Sequence, residues 1–486
     1  MWSLPIEPMD WPAVIDRVRG AGGVAMVAAL TIGLVVVTTL VRGKAKERHR
    51  RGARVVDGRR TQRRSARLSR STPGVLTLAG VAVAALDETK HFKLIGTTGT
   101  GKSTAIRELL GAALARGDRA VFADPDGGYM AQFFARRRGD VLLNPFEANS
   151  VRWDMFAEIR SSFDIEQLAR GLIPDSEDPS SNEWRAYART LLSAVVRRCH
   201  MHGERDMAEV WRLLTVASAE ELRPIVAGSP AQPFLDPDNA RMLGSIRSVT
   251  GSAIAAFEYI QGQRASPFSV REWVRGRGLS GILFLPYRAG QIPALRSMIA
   301  TWMRLAIVEA LSQAEGRDQR LWFVVDELDA LGPIDGLKDA LARLRKFGGR
   351  CVLGFQSIAQ VSGTYGDGDA QTIVENCGNT LILRCSSSEN GGTAQFASRL
   401  IGDREIFRVQ RSHGSDRGAP WGGGRKSRSV TEQHATEPAV LSSELEQLPD
   451  LCGYLKTASS SLWLKVAFCS RDGASRRRSR VNKPLG

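Results

Sequence analysis

Short apolar runs bounded by turn residues alternate along most of the chain with longer stretches of helical period. "FKLIG" (92–96) predicts a strand, "STAIRELLGAALARG" (103–117) a helix, and "RAVFADPDG" (119–127) a second strand. "DVLLNPF" (140–146) predicts another short strand, and the apolar runs in 75–90 suit an edge strand before the first. Strand, helix, strand is a βαβ beginning, which predicts an α/β fold with a mostly parallel sheet covered by helices.

The pattern changes between Phe163 and Arg264, where helical spacing replaces strand runs. Trp184, Tyr187, Leu191 and Val195 recur at helical intervals and are expected in the core. "SAEELRPIVAG" opens with Ser218 and Glu221 at capping-box spacing. Residues 161–268 are therefore expected to form an all-α domain inserted between two parts, 75–160 and 269–470, of one α/β domain. Strand character returns at "GILFLPY", "LWFVVDEL", "CVLGFQS" and "TLILRC", with a helix at 294–311. Residues 414–429 are rich in Gly, Ser and Arg and predict a mobile loop, and "GYLKTASSSLWLKVAF" predicts a closing hairpin.

No residue from Ala21 to Val41 is charged, and these 21 residues are long enough for one membrane-spanning helix. The preceding segment carries Glu7, Asp10 and Asp16, a poor basic region for a cleaved leader. Nine Lys and Arg fall in the twenty residues after Val41 and two in the twenty before Ala21. The excess predicts that residues 1–20 are non-cytoplasmic and that the body lies in the cytoplasm. Net charge is +16, of which +11 sits in 42–70 and +5 in 471–486. The remainder of the chain is therefore near neutral, and the basic excess is expected in a juxtamembrane linker (42–74) and a tail (471–486). Attraction to anionic lipid is the plain reading of the linker. Six cysteines contain no CxxC pair, and the Cys199-His200-Met201-His202 run has no second ligand cluster, so zinc and dithiol chemistry lack support.

The run Gly96-Thr97-Thr98-Gly99-Thr100-Gly101-Lys102-Ser103, followed by Thr104, matches G-x-x-x-x-G-K-[ST] between a predicted strand and a predicted helix. Glycines there let backbone N–H groups close on phosphate oxygens at a helix N-terminus. Lys102 is expected to reach the β- and γ-phosphates of ATP and Ser103 to ligate Mg²⁺. "LWFVVDEL" ends in Asp326-Glu327. A strand delivers its terminal carboxylate to the ligand-binding edge of such a sheet. Asp326 is placed to hold Mg²⁺ and Glu327 to orient or deprotonate the attacking water. Gln356 ends the next strand and is placed to sense the γ-phosphate. Between them, "KDALARLRKFGGR" predicts a basic helix offering Arg343, Arg345, Lys346 and Arg350.

Together "GTTGTGKS", "RGDRAVFADPDGGY", "LNPFEANSVRWDMFAEI", "EWRAYARTLL", "LWFVVDELDALGPIDGLKDALARLRKFGGR" and "GFQSIAQV" resemble the conjugative coupling proteins of type IV secretion, of the TraD/TraG/TrwB type, in the RecA/FtsK-like ATPase superfamily. The resemblance covers about residues 75 to 470. It implies a RecA-like P-loop domain interrupted by an all-α domain and tied to the membrane by an N-terminal anchor. It assigns Lys102 and Ser103 to the P-loop, Asp326 and Glu327 to the Walker B pair, Gln356 to the strand-end glutamine, and Arg345 to the arginine facing the next subunit's nucleotide. Members usually carry two membrane spans; this sequence shows one.

The function implied is a DNA-stimulated ATP hydrolase and translocase. It would form a hexameric ring at the bacterial inner membrane and couple a relaxase–single-stranded DNA complex to the channel proteins of a type IV secretion system. Two alternatives stand beside it. An FtsK-like pump for double-stranded DNA would normally add a C-terminal winged-helix reader. A docking receptor for protein effectors would use ATP as a switch, against which the intact Glu327 argues.

Overall fold

The computed structural model describes residues 48–176, 178–276, 280–316, 319–389, 391–415 and 426–468. The uncharged run 21–41 and the basic tail 471–486 lie outside the described residues. Among the described residues, no helix is long and apolar enough to cross a membrane.

Ten strands form the main sheet: β1 (Arg54–Asp57), β2 (Phe92–Ile95), β3 (Arg119–Pro125), β4 (Val141–Leu142), β5 (Gly281–Tyr287), β6 (Leu321–Val325), β7 (Gly349–Phe355), β8 (Asn379–Ile382), β9 (Cys452–Lys456) and β10 (Leu462–Ala467). Their spatial order is β1-β10-β9-β8-β2-β7-β6-β3-β5-β4. From β8 through β4 every neighbouring pair is parallel. β9 and β10 form the predicted antiparallel hairpin, and β1 runs parallel to β10.

The central strands are largely apolar because both sheet faces are buried. Leu94, Phe122, Phe284, Trp322 and Val352 pack on one face with Ile106, Leu109 and Leu110 of helix α2 (Lys102–Ala115). Val121, Leu283, Phe323, Leu353 and Phe355 pack on the other. That second core is continuous with helix α3 (Ile292–Leu311) and with the helices between Ser162 and Gln261. Leu191 and Val195 are fully buried there, as expected. Trp184 is exposed and Tyr187 half-buried, because that end of helix Pro179–Met201 overhangs the core. The Ser218 hydroxyl accepts from Glu221 N, while the Glu221 carboxylate turns to Arg212 and completes no box.

Three expectations need correction. The runs in 75–90 form a separate two-stranded ladder, Thr77–Leu78 with Val81–Ala82, and add no edge to the main sheet. The segment expected to be a linker through residue 74 is built into the fold from Arg54 onward: β1 extends the sheet, and helix α1 (Arg59–Ser71) follows. Its arginines mask the signal, because its packed face uses polar residues in place of an apolar stripe. Finally, the loop expected over 414–429 is shorter. Residues 403–415 and 426–438 pair antiparallel over their full length, with Arg48–Gly52 beside them, as a three-stranded sheet that is a unit of its own. Residues 416–425 lie outside the described ones.

His91, just before β2, is buried and uses both ring nitrogens: Cys351 N donates to Nδ1 at 3.0 Å, and Nε2 meets Leu341 O at 2.9 Å. Burial pushes its pKa down from 6.5 to about 4. As pH falls through that window the unfolded chain takes up a proton that the folded chain refuses, so stability falls and the loss is complete below it. The contribution is about 3 kcal/mol at about 1.4 kcal/mol per pH unit. His91→Gln is expected to flatten the dependence of the thermal midpoint on pH between 7 and 4. Parallel slopes for the two proteins would remove His91 as the titrating group.

Candidate nucleotide site

β2 ends in the loop 96–101, and α2 starts at Lys102. Lys102 Nζ donates to Gly96 O at 2.5 Å and Thr97 O at 3.3 Å, and Thr100 Oγ1 donates to Thr97 O at 2.7 Å. Leu451 N donates to Thr100 O at 2.9 Å. The carbonyls of Gly96, Thr97 and Thr100 are thus taken up by protein donors. Gly101 has φ 117°, and a Cβ there would meet Leu451 Cδ2 at 2.9 Å. Only glycine combines this backbone with that approach.

Asp326 follows β6 directly. Its Oδ2 accepts from Ser103 Oγ at 2.8 Å and from Tyr129 OH at 2.5 Å. Its Oδ1 is buried with no hydrogen-bond partner among the described residues. A buried carboxylate oxygen left over beside a P-loop serine suits a hard cation such as Mg²⁺, which takes oxygen ligands. Gln356 bridges the two halves: Thr98 Oγ1 donates to its Oε1 at 2.9 Å, and its Nε2 donates to Glu327 Oε1 at 3.1 Å. Burial first, then the Asp326 and Asp329 charges, raise the Glu327 carboxyl above its ordinary value, which suits a proton acceptor. Burial lowers the Lys102 ammonium, opposed by Asp326 and Glu327. Lys102 is itself buried, so this part of the loop is not exposed.

Thr98, Gly99, Gly101, Lys102, Ser103 and Thr104 line one cavity of about 260 Å³ with Asp326, Glu327 and Gln356. Gly96, Thr97 and Thr100 shape the loop from behind. A Cβ on Gly96 would meet Leu383 Cβ at 2.8 Å, and Thr97 N donates to Arg384 O. Arg345 is not in the cavity of its own chain. It is exposed in the turn Leu344–Phe347, at the start of β7, whereas Gln356 follows the end of that strand. Seven residues of β7 separate the two by about 23 Å at about 3.3 Å per residue. Arg350 is buried and bonded to Glu88, a structural role. A larger cavity, about 610 Å³, opens at the opposite edge of the sheet, lined by Arg116, Asp118, Arg119 and Arg320 among others. It has no phosphate loop, and Arg116 is committed to Glu88 and Asp118.

Four residues escaped the sequence reading. Gly354, inside β7, lies where a Cβ would meet Asp326 O at 2.3 Å, so only glycine lets Asp326 sit there. Arg107 lines the cavity from α2, with its guanidinium 4.9 Å from the Tyr129 ring centre. Asp124, pushed up to about 6 chiefly by burial, accepts from Tyr129 N and Met130 N and orients that turn. Tyr129 is the fourth; burial and the Asp326 charge hold its phenol far above its ordinary value, so it stays a donor. "DPDGGY" ends in this tyrosine, but sequence alone does not say which carboxylate it meets. Tyr129→Phe removes one of two donors to Asp326. Loss of such an outer partner typically costs about 10–100-fold in metal affinity. The Mg²⁺ concentration for half-maximal ATP turnover is expected to rise about tenfold or more, with ATP binding in excess Mg²⁺ retained. An unchanged Mg²⁺ dependence would reduce Tyr129 to packing.

Residues 75–468 match the family model of the type IV secretion-system coupling protein DNA-binding domain. The chain belongs to the type IV secretion-system coupling protein family. Coupling protein TraD of Escherichia coli K12 is 31% identical over 377 residues, covering 76% of this chain and 51% of TraD. The chain thus spans about half the length of that relative. Protein VirD4 of Agrobacterium fabrum is 27% identical over 112 residues, 22% of this chain and 16% of VirD4. Among solved coupling proteins, TrwB in complex with ADP and Mg²⁺ superposes with TM-score 0.75 at 30% identity, covering 87% of this chain and 94% of that one. An unbound form of TrwB gives 0.76 at the same identity and coverage. The large parallel sheet is therefore that of the coupling-protein fold.

Proposed function

We propose that this protein is an ATP-driven DNA translocase that couples a relaxase–single-stranded DNA complex to a type IV secretion channel in conjugation. The observation that carries the reading is the meeting of Lys102 and Ser103 with Asp326, Glu327 and Gln356 in one cavity, inside a match to a coupling-protein DNA-binding domain. ATP is the substrate. Lys102 would exchange its loop carbonyls for β- and γ-phosphate oxygens, and the loop amides would take the remaining charge. Ser103 and Asp326 would hold Mg²⁺, which supplies charge neutralisation between the phosphates. Glu327 would take a proton from the water attacking the γ-phosphorus, while Gln356 ties that carboxylate to the phosphate loop through Thr98.

The anchor at 21–41, the inner-membrane location with a cytoplasmic body, the insertion of 161–268 as an all-α domain, and the hexameric ring belong to this proposal. The apolar run with its charge reversal supports the anchor, and the run of helices between Ser162 and Gln261 supports the insertion, although Pro267–Phe268 at its end forms a short strand beside Arg152–Trp153. Arg345, set far from its own nucleotide cavity, supports the ring, because such a residue can serve a site only from a neighbour. Purified chain with Mg²⁺ and ATP should turn over faster when single-stranded DNA is added. Turnover indifferent to DNA, but raised by a secreted protein, would favour the effector-receptor reading instead.

A further inference from the structure

Helix α1 carries six arginines and no acidic residue in its thirteen positions. At about 100° per residue, Arg59, Arg60, Arg63, Arg64, Arg67 and Arg70 fall within an arc of about 140°. All six are exposed. Arg59 lies 3.8 Å from Asp57, and among the described residues the other five form no ion pair. The opposite face is fastened to the body. Gln62 Nε2 donates to Ala79 O at 2.7 Å and to Ala467 O at 2.8 Å, and Ala82 N donates to Ser65 Oγ at 2.9 Å. Gly58 N, at the start of the helix, donates to Lys465 O on β10 at 2.9 Å. The arginine face is therefore aimed outward by contacts to β10 and to the small ladder at 77–82.

Five unpaired guanidinium groups along one side, about 15 Å from Arg60 to Arg70 at about 1.5 Å rise, repel one another unless an anionic surface meets them. The planar fork of arginine matches phosphate oxygens two at a time. With no apolar face to insert, the helix suits contact at headgroup level. Its place in the chain selects the partner. Val41, the last residue of the uncharged run, precedes Arg59 by eighteen positions, so an anchored chain holds this face near a lipid surface at high effective concentration. No aromatic residue interleaves with the arginines to stack on bases.

We propose that α1 is a rigid docking face for the phosphate headgroups of an anionic bilayer, seating the β1 edge of the nucleotide-binding body on the membrane. This inference rests on the anchor reading above. Because α1 is bonded to the sheet, lipid charge would set the orientation of the body, which a flexible linker could not do.

The test uses the full chain reconstituted in vesicles of phosphatidylcholine alone or with about a third anionic phosphatidylglycerol, at low salt where surface charge is least screened. The rate of phenylglyoxal modification at Arg60, Arg63, Arg64, Arg67 and Arg70 is read by mass spectrometry. Modification is expected to slow at least about fivefold with anionic lipid, the factor for about 1 kcal/mol per arginine at such a surface, and to recover at 1 M salt. Replacing Arg60, Arg63 and Arg64 by glutamine should deprotect Arg67 and Arg70, and replacing them by lysine should not. Equal rates in both lipids, with the chain retained by both, would overturn the docking face and leave the anchor standing. If neutral vesicles do not retain the chain, the anchor falls; docking then stands only if anionic vesicles still capture the chain and protect these arginines. Protection by a single-stranded oligonucleotide, with none from anionic lipid, would overturn it in favour of nucleic acid.

Discussion

Lys102→Ala is expected to abolish DNA transfer and to lower ATP turnover by at least about 10²–10³-fold, the loss typical when one preorganised charge-stabilising donor is removed. The ammonium is the buried cation closest to the loop, set between Asp326 and Glu327 on one side and the Gly96 and Thr97 carbonyls on the other. Its removal leaves developing negative charge on the transferring phosphoryl without its nearest counter-charge. Stability responds in two opposed ways. Gly96 O loses a donor, at about 1–3 kcal/mol if left buried and unpaired, while a desolvated charge is also removed. The net effect on the thermal midpoint is expected to be small, so lost turnover would report chemistry. Normal transfer by this variant in a strain lacking the wild-type gene would defeat the translocase reading.

Arg345→Ala is expected to cut turnover by about 10³–10⁵-fold, the range for an arginine finger, while nucleotide binding is retained. The turn that holds Arg345 is fixed beneath it: Leu344 is fully buried, and the Leu341 carbonyl, one turn earlier, is held by His91. The side chain is therefore presented from a rigid platform at the edge of the sheet away from its own nucleotide cavity. Mixing Arg345→Ala with Glu327→Gln subunits should restore some activity, because one type of interface then combines an intact site with an intact arginine. A purified Arg345→Ala protein that hydrolyses ATP at the wild-type rate in the presence of DNA would remove Arg345 from the chemistry.

Most of the sheet was legible in the sequence. β2, β3, β5, β6, β7 and β8 are buried on both faces and show as mostly apolar runs, Lys93 in β2 being a buried exception held by Val374 O and Cys377 O, and the P-loop announces itself because phosphate binding demands glycines and one lysine at fixed spacing. Asp326 and Glu327 were legible for a related reason: an apolar strand carries its terminal carboxylates to a known edge of the sheet. The edge elements were not. β1 carries only Val55 and Val56 between charged residues, and α1 docks through Gln62 and Ser65, so neither leaves an apolar period to read.

Local sequence determined which segments become strands and helices and which loop takes phosphate, since those outcomes depend on side-chain period and backbone freedom over a few residues. Tertiary structure alone decided which distant groups meet. Tyr129 reaches Asp326 across 197 positions, and Thr98 reaches Gln356 across 258. Gly354 is required by the approach of the Asp326 backbone, and Arg345 is held away from its own site by the length of β7. Such contacts follow from strand order in the sheet, β2-β7-β6-β3. That order is set by how the two helical layers bury both faces at once, and no single segment encodes it.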